Sequence, residues 1–94
     1  VSYFAEIDNE NTVIRVVACN NDDPAGDEGY QWLLDNLGGT WVKTSYNGNI
    51  RKNFAQPGGK YDPERDAFIQ IQPAPDWVLD QETLKWIPPT GTGN

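Results

Sequence analysis

The 94-residue chain has no histidine, no methionine and one cysteine, and it carries only seven basic residues against fourteen acidic ones. Each shortage closes off a class of function. Without His the chain lacks the usual general base, the usual zinc ligand and the side chain whose charge ordinarily changes near neutral pH. Cys19 cannot form an intrachain disulfide, and with no His to activate it the residue reads as a buried, inert thiol behind the apolar run Val16-Val17-Ala18. A net charge of −7 repels nucleic-acid phosphates and anionic membranes, so neither is an expected partner. No apolar run is long enough to span a bilayer and no stretch has a signal-peptide pattern, which points to a reducing cytoplasm. Gly-x-Gly-x-x-Gly, a Walker loop and Cys-x-x-Cys are also missing, so no cofactor is expected.

What the chain does have is aromatic residues: four Trp, four Tyr and three Phe, in a sequence only 37% apolar. They concentrate buried area into few side chains, so the expected core is small and aromatic. Ninety-four residues suffice for one such core and one domain. Residues 1–87 are read as that β-rich domain, and Pro88-Pro89-Thr90-Gly91-Thr92-Gly93-Asn94, with nothing large to bury, as a flexible tail.

One hairpin pattern is written twice. Lys60-Tyr61-Asp62-Pro63-Glu64-Arg65-Asp66-Ala67-Phe68-Ile69 and Leu79-Asp80-Gln81-Glu82-Thr83-Leu84-Lys85-Trp86-Ile87 each lead an apolar residue into Asp-x-Glu, turn, and resume with an aromatic residue and Ile. A fainter copy is Ile7-Asp8-Asn9-Glu10-Asn11-Thr12-Val13-Ile14. Asp folds its side chain onto the backbone N–H two residues on, so the motif predicts turns. The Asp62/Glu64 and Asp80/Glu82 pairs also have the residue types a glycosidase needs, but their repetition fits turn chemistry better and no enzyme is expected.

In chain order, alternation over Ser2–Asn20 predicts a first β-hairpin. Val16-Val17-Ala18-Cys19, apolar on both faces, places its second strand centrally in a sheet or beneath a helix. The acidic loop from Asn20 to Gly29 crowds oxygen ligands as calcium requires, but Asp22 and Asp23 are adjacent and Pro24 interrupts, so a solvated loop with helix-start signals is the better reading. A helix follows over Gly29–Leu37, with Tyr30, Leu33, Leu34 and Leu37 on one stripe, Asp27 and Glu28 at its positive end and Gly38-Gly39 at its stop. Thr40–Tyr46 alternates as a strand closed by the Asn47-Gly48 turn. Gln56-Pro57-Gly58-Gly59 calls for unusual backbone angles, and the alternating prolines of Gln72–Asp76 predict an extended, stiff joint between the last two hairpins.

Candidate surface contacts are Arg51, Lys52, Phe54, Trp77 and Trp86. The first three combine charge with a stacking ring, although pairing of Arg51 and Lys52 with nearby carboxylates is the plainer reading on so acidic a domain. The two tryptophans are expected to pack in the core rather than to stack on a ligand.

The order Ser2-Tyr3-Phe4-Ala5, Trp41-Val42-Lys43-Thr44-Ser45-Tyr46, Arg51-Lys52-Asn53-Phe54-Ala55, Tyr61-Asp62 with Asp66-Ala67-Phe68-Ile69, and Trp77-x-Leu79 with Trp86-x-x-Pro resembles a family of small proteins of marine tailed bacteriophages, including those of cyanobacteria. It covers nearly the whole chain and departs at Gln56–Gly59 and at the Tyr46-Asn47 turn. The resemblance implies a non-enzymatic, virion-associated structural or decoration protein that acts by protein–protein contact, as a homo-oligomer or with another protein, in the virion or the host cytoplasm. Two other readings stay open: an early phage protein whose acidic surface mimics nucleic acid and inhibits a host protein, and a carbohydrate-binding module using Trp77 or Trp86. The expected fold is a small, mainly antiparallel β domain with one short helix, a curved sheet or SH3-like open barrel built from hairpins.

Overall fold

The computed structural model describes residues 1–20 and 26–89. It is mainly β: β1 (Ser2–Ile7), β2 (Val13–Cys19), α1 (Tyr30–Leu37), β3 (Thr40–Thr44), β4 (Lys60–Asp62), β5 (Ala67–Ile69), β6 (Val78–Leu79) and β7 (Trp86–Ile87). The strands form three antiparallel sheets, ordered β2-β1-β3, β4-β5 and β6-β7. These are the hairpins and the Trp41 strand that alternation predicts. Among the described residues the strands close no barrel.

β1, rather than β2, is the central strand. Both of its edges are therefore paired, and because its two faces are covered as well, Phe4 and Ala5, on opposite faces, are buried alike. On one face Phe4 and Trp41 pack with Leu33 of α1, joined by Val17, Cys19 and Leu34. On the other, Ala5, Ile7 and Val13 pack with Ala55 and Phe68, joined by Val16, Val42 and Tyr61. The apolar Val16–Cys19 run thus belongs to a strand lying partly beneath the helix at the sheet's border. Cys19 is half-buried there rather than sealed.

The helix begins and ends where its sequence signals fall. Asp27 accepts from the Gly29 and Gln31 N–H groups at 3.2 and 3.0 Å. At the other end the Gly38 N–H donates to Leu33 and Leu34 carbonyls. Its stripe is only half used: Leu33 is buried, while Tyr30, Leu37 and the off-stripe Trp32 are exposed. Gly29 sits at φ 96°, and a Cβ there would lie 2.9 Å from the Cys19 Cβ, so the helix start presses directly on β2.

All three Asp turns form. Asp8 Oδ1 accepts from the Glu10 and Thr12 N–H groups, Asp62 Oδ1 from that of Glu64, and Asp80 Oδ2 from the N–H and hydroxyl of Thr83. Each turn then passes through a left-handed residue: Asn11, Asp66 and Leu84 at φ 64°, 51° and 57°. The Gln72–Asp76 joint, in contrast, is not extended. The Trp77 N–H reaches the Ala74 carbonyl at 3.1 Å around Pro75, and Gln72 Nε2 holds the Pro75 and Trp77 carbonyls. Pro75 presets the turn's first corner, a local preference that overrides the extended habit of spaced prolines.

Main-chain bonds also join the sheets. Val13 donates to Gly59 O, Gly58 to Val13 O and Tyr61 to Asn11 O, each at 2.8 Å. Gly59 leaves no room for a side chain, since a Cβ would meet the Ile69 carbonyl oxygen at 2.7 Å. The chain beyond Pro89 and the loop at residues 21–25, with the calcium and tail readings they carry, lie outside the described residues.

Candidate functional site

The candidate contact residues Arg51, Lys52 and Phe54 fall on one short strut, residues 51–55, which runs between β3 and β4 without being a strand. Arg51 and Lys52 both take left-handed backbone angles, φ 52° and 67°. That twist brings the next residue, Asn53, inward until it is 5% exposed. Its Nδ2 donates to the Phe68 and Leu84 carbonyls at 3.0 Å each, with a longer approach to Thr83 O, and its Oδ1 accepts from Lys85 Nζ at 2.8 Å. One buried amide therefore ties β5 and the last hairpin to the strut.

The strut's charges are used internally. Arg51 Nε donates to Asp66 Oδ1 at 2.9 Å and its Nη1 to the Lys43 carbonyl, while Lys52 Nζ reaches the Glu82 carbonyl. Tyr61 also donates to Asp66. These two donors, Tyr61 first and Arg51 second, hold the Asp66 carboxyl below the usual carboxylate range. The Tyr61 phenol is pushed up, by burial first and by its bond to Asp66 second. Phe54 is half-buried, edge-on to Tyr3 and Tyr46 with ring centroids 5.4 and 5.6 Å away. The structure thus turns the basic cluster into architecture.

Trp77 and Trp86 are half-buried and lie together along a cavity of about 270 Å³, with Ile71, Pro73, Leu84 and Lys85. They are neither core nor free surface. Trp86 Nε1 is committed to the Gln70 carbonyl at 2.7 Å, which fixes its ring. Among the described residues no carboxylate lines this cavity, and Asp62 and Asp80 instead hold their own turns. Asp80 is held below the carboxylate range by the Thr83 hydroxyl and then the Thr83 N–H, as Asp8 is by the Thr12 and Glu10 N–H groups.

A larger cavity, about 390 Å³, opens where β1 and β3 meet the turn after β3. Tyr3, Glu28, Lys43, Ser45, Tyr46 and Asn47 are among its lining residues. Glu28, at φ 61°, receives the Ser2 hydroxyl on one oxygen and Lys43 Nζ on the other, the latter at 2.7 Å. Lys43 first, and Ser2 second, keep the carboxyl below its usual range. Sequence reasoning missed this group because its partners are far apart in the chain. One signal was present: Trp41 and Lys43 share a strand face, so a lysine on the face that buries Trp41 needs an acceptor.

Among the described residues no cluster of three or more acidic or thiol side chains is placed to hold a metal ion, and no helix is long and apolar enough to cross a membrane. Comparison with protein-family models, with curated proteins and with solved structures finds no match to this chain.

Proposed function

We propose that the chain is a non-enzymatic, virion-associated protein of a tailed bacteriophage, which joins or decorates larger assemblies through protein–protein contacts in homo-oligomeric form. The observation that carries the contact role is the outer face of the last hairpin. Val78 and Ile87 pair directly across β6 and β7, yet are 65% and 42% exposed. An apolar cross-strand pair left in water on a hairpin already tied down from its other side is a surface that gains by being covered. The phage setting rests on the sequence resemblance. An SH3-like open barrel belongs to the same proposal, supported by the bonds that carry the chain from Val13 across to Gly58 and Gly59.

Light scattering over a range of concentrations tests the contact role. A closed oligomer is expected, reduced to monomer by Val78→Asp together with Ile87→Asp. The virion role is tested by mass spectrometry of purified particles, and absence of the protein there overturns it. A stoichiometric host protein in a pull-down from infected cells would replace it with the inhibitor reading.

A carbohydrate-binding role is favoured by a separate observation, the convergence of Trp77 and Trp86 on one cavity. Glycan binding that survives replacement of both by Ala would remove that reading.

A further inference from the structure

We propose that the cavity between β1, β3 and the turn at Tyr46 binds a neutral saccharide of one or two units. This site is distinct from the Trp77/Trp86 cavity and depends on neither reading above. Its volume, about 390 Å³, lies in the lower part of the range for small-molecule sites, roughly 300–1,000 Å³.

The cavity holds one carboxylate and one lysine, already paired with each other, beside Val1. Glu28 and Lys43 pair at 2.7 Å, and Glu28 is also engaged by Ser2. A charged ligand would have to compete with that pair, and an anion would in addition approach a protein of net charge −7. A hydroxyl has no such conflict. Each carboxylate oxygen keeps a further lone pair and the ammonium group keeps further protons, so ligand O–H groups are accepted by Glu28 and ligand oxygens are met by Lys43 without breaking the pair. The Asn47 side chain at the rim adds an amide able to do both.

The second element is a ring. Tyr46 is 72% exposed, yet it is braced by Phe54 and Tyr3 at centroid distances of 5.6 and 6.4 Å. An exposed aromatic side chain held by two others is a preset platform for the C–H face of a pyranose, and little freedom is lost when it is covered. The third is backbone strain. Glu28 is held left-handed, which a non-glycine residue does at some cost, and its carboxylate is thereby delivered to the cavity. A platform beside a paired carboxylate and ammonium with donors and acceptors to spare is the recognition chemistry of an uncharged polyhydroxyl ligand.

The test is amide chemical-shift titration of the isotope-labelled protein with maltose, cellobiose, lactose and chitobiose, with glucuronate and glucosamine as charged controls. Saturable shifts are expected at Lys43, Ser45, Tyr46 and Asn47 with at least one neutral sugar. Tyr46→Ala should weaken that binding by about tenfold or more, the scale of ~1.4 kcal/mol, and Glu28→Gln should weaken it as well. Thermal unfolding of Tyr46→Ala serves as the folding control. No saturable shift at about 10 mM of any neutral sugar, where even ~1 mM affinity is visible, overturns the proposal. So does binding confined to the charged sugars, or shifts that centre on Trp77 and Trp86.

Discussion

Strands β1–β3 and hairpins β4–β7 are antiparallel alike, but the first group is clamped by side chains packed on both faces and the second hangs from a strut by hydrogen bonds. In the sheet, burial of Phe4, Ala5, Leu33 and Trp41 does the holding. In the hairpins, strands of only two or three residues bury Phe68 and Leu84 and then rely on Asn53, Lys52, Arg51 and Lys85. The lesson is that strands too short to bury much can still be fixed in place when one polar side chain satisfies several of their carbonyls at once.

That contrast can be broken at the joint between the two regions. Phe68 lies in the hairpins but fills the core beneath β1, so Phe68→Ala should destabilise the whole domain by about 4 kcal/mol in chemical denaturation. A loss confined to β4–β7 would show that the regions fold independently. Asn53→Ala sharpens the contrast from the polar side. It strands two buried carbonyls, and a destabilisation of about 3 kcal/mol is expected. Hydrogen exchange should accelerate in β4–β7 while β1–β3 amides stay protected; equal acceleration in both would count against a strut.

Gly59→Ala probes the main-chain seam itself. The added Cβ meets the Ile69 carbonyl at 2.7 Å in a paired strand that cannot easily yield, so a loss of about 2 kcal/mol is expected in thermal or urea unfolding.

Acid should act on both regions. Asp66 and Asp80 have folded-state pKa values below their unfolded ones, so their stabilisation is complete above the unfolded pKa and is lost as pH falls through the folded one. Asp8 at the β1–β2 turn and Glu28, bonded to Ser2 of β1 and Lys43 of β3, contribute in the same direction. Tyr61 works oppositely: its raised pKa means that its contribution is present below the unfolded value and is lost as pH rises through the folded one. Amide spectra recorded on lowering pH should show both regions loosening, and Asp66→Asn should blunt the effect in β4–β7 while leaving it in β1–β3. The smallest change expected is for Arg15→Ala, which removes a pair with the largely covered Glu6 and a stack over Trp41 at 5.4 Å, together worth about 1 kcal/mol.

The sequence displays most of the strands because their causes are local. Asp8, Asp62 and Asp80 make their turns within four residues, and alternation marks the strands on either side. The order of the sheet is less legible: β2 is the more apolar strand, yet β1 is central, with packing on both faces, Phe4 against Leu33 on one and Ala5 against the Phe68 cluster on the other. The hub is not legible at all. Asn53 reaches carbonyls 15 and 31 residues away, and nothing in Arg51-Lys52-Asn53 announces that the amide, rather than the charges, is the working group. The Glu28–Lys43 cavity is hidden for the same reason, its partners being 15 residues apart on different elements.

The reach of Asn53 also sets an order of events. Every strand pairing in the β1–β3 sheet lies within the first 44 residues. That sheet can assemble through comparatively short loops, whereas the amide finds its first carbonyl at Phe68 and its full set only when the chain has returned as far as Leu84. The last hairpin, two residues to a strand, is too small to persist before then. Docking of Leu84 against the strut is accordingly a late, cooperative step, and the Trp77/Trp86 cavity comes into being only when that step closes.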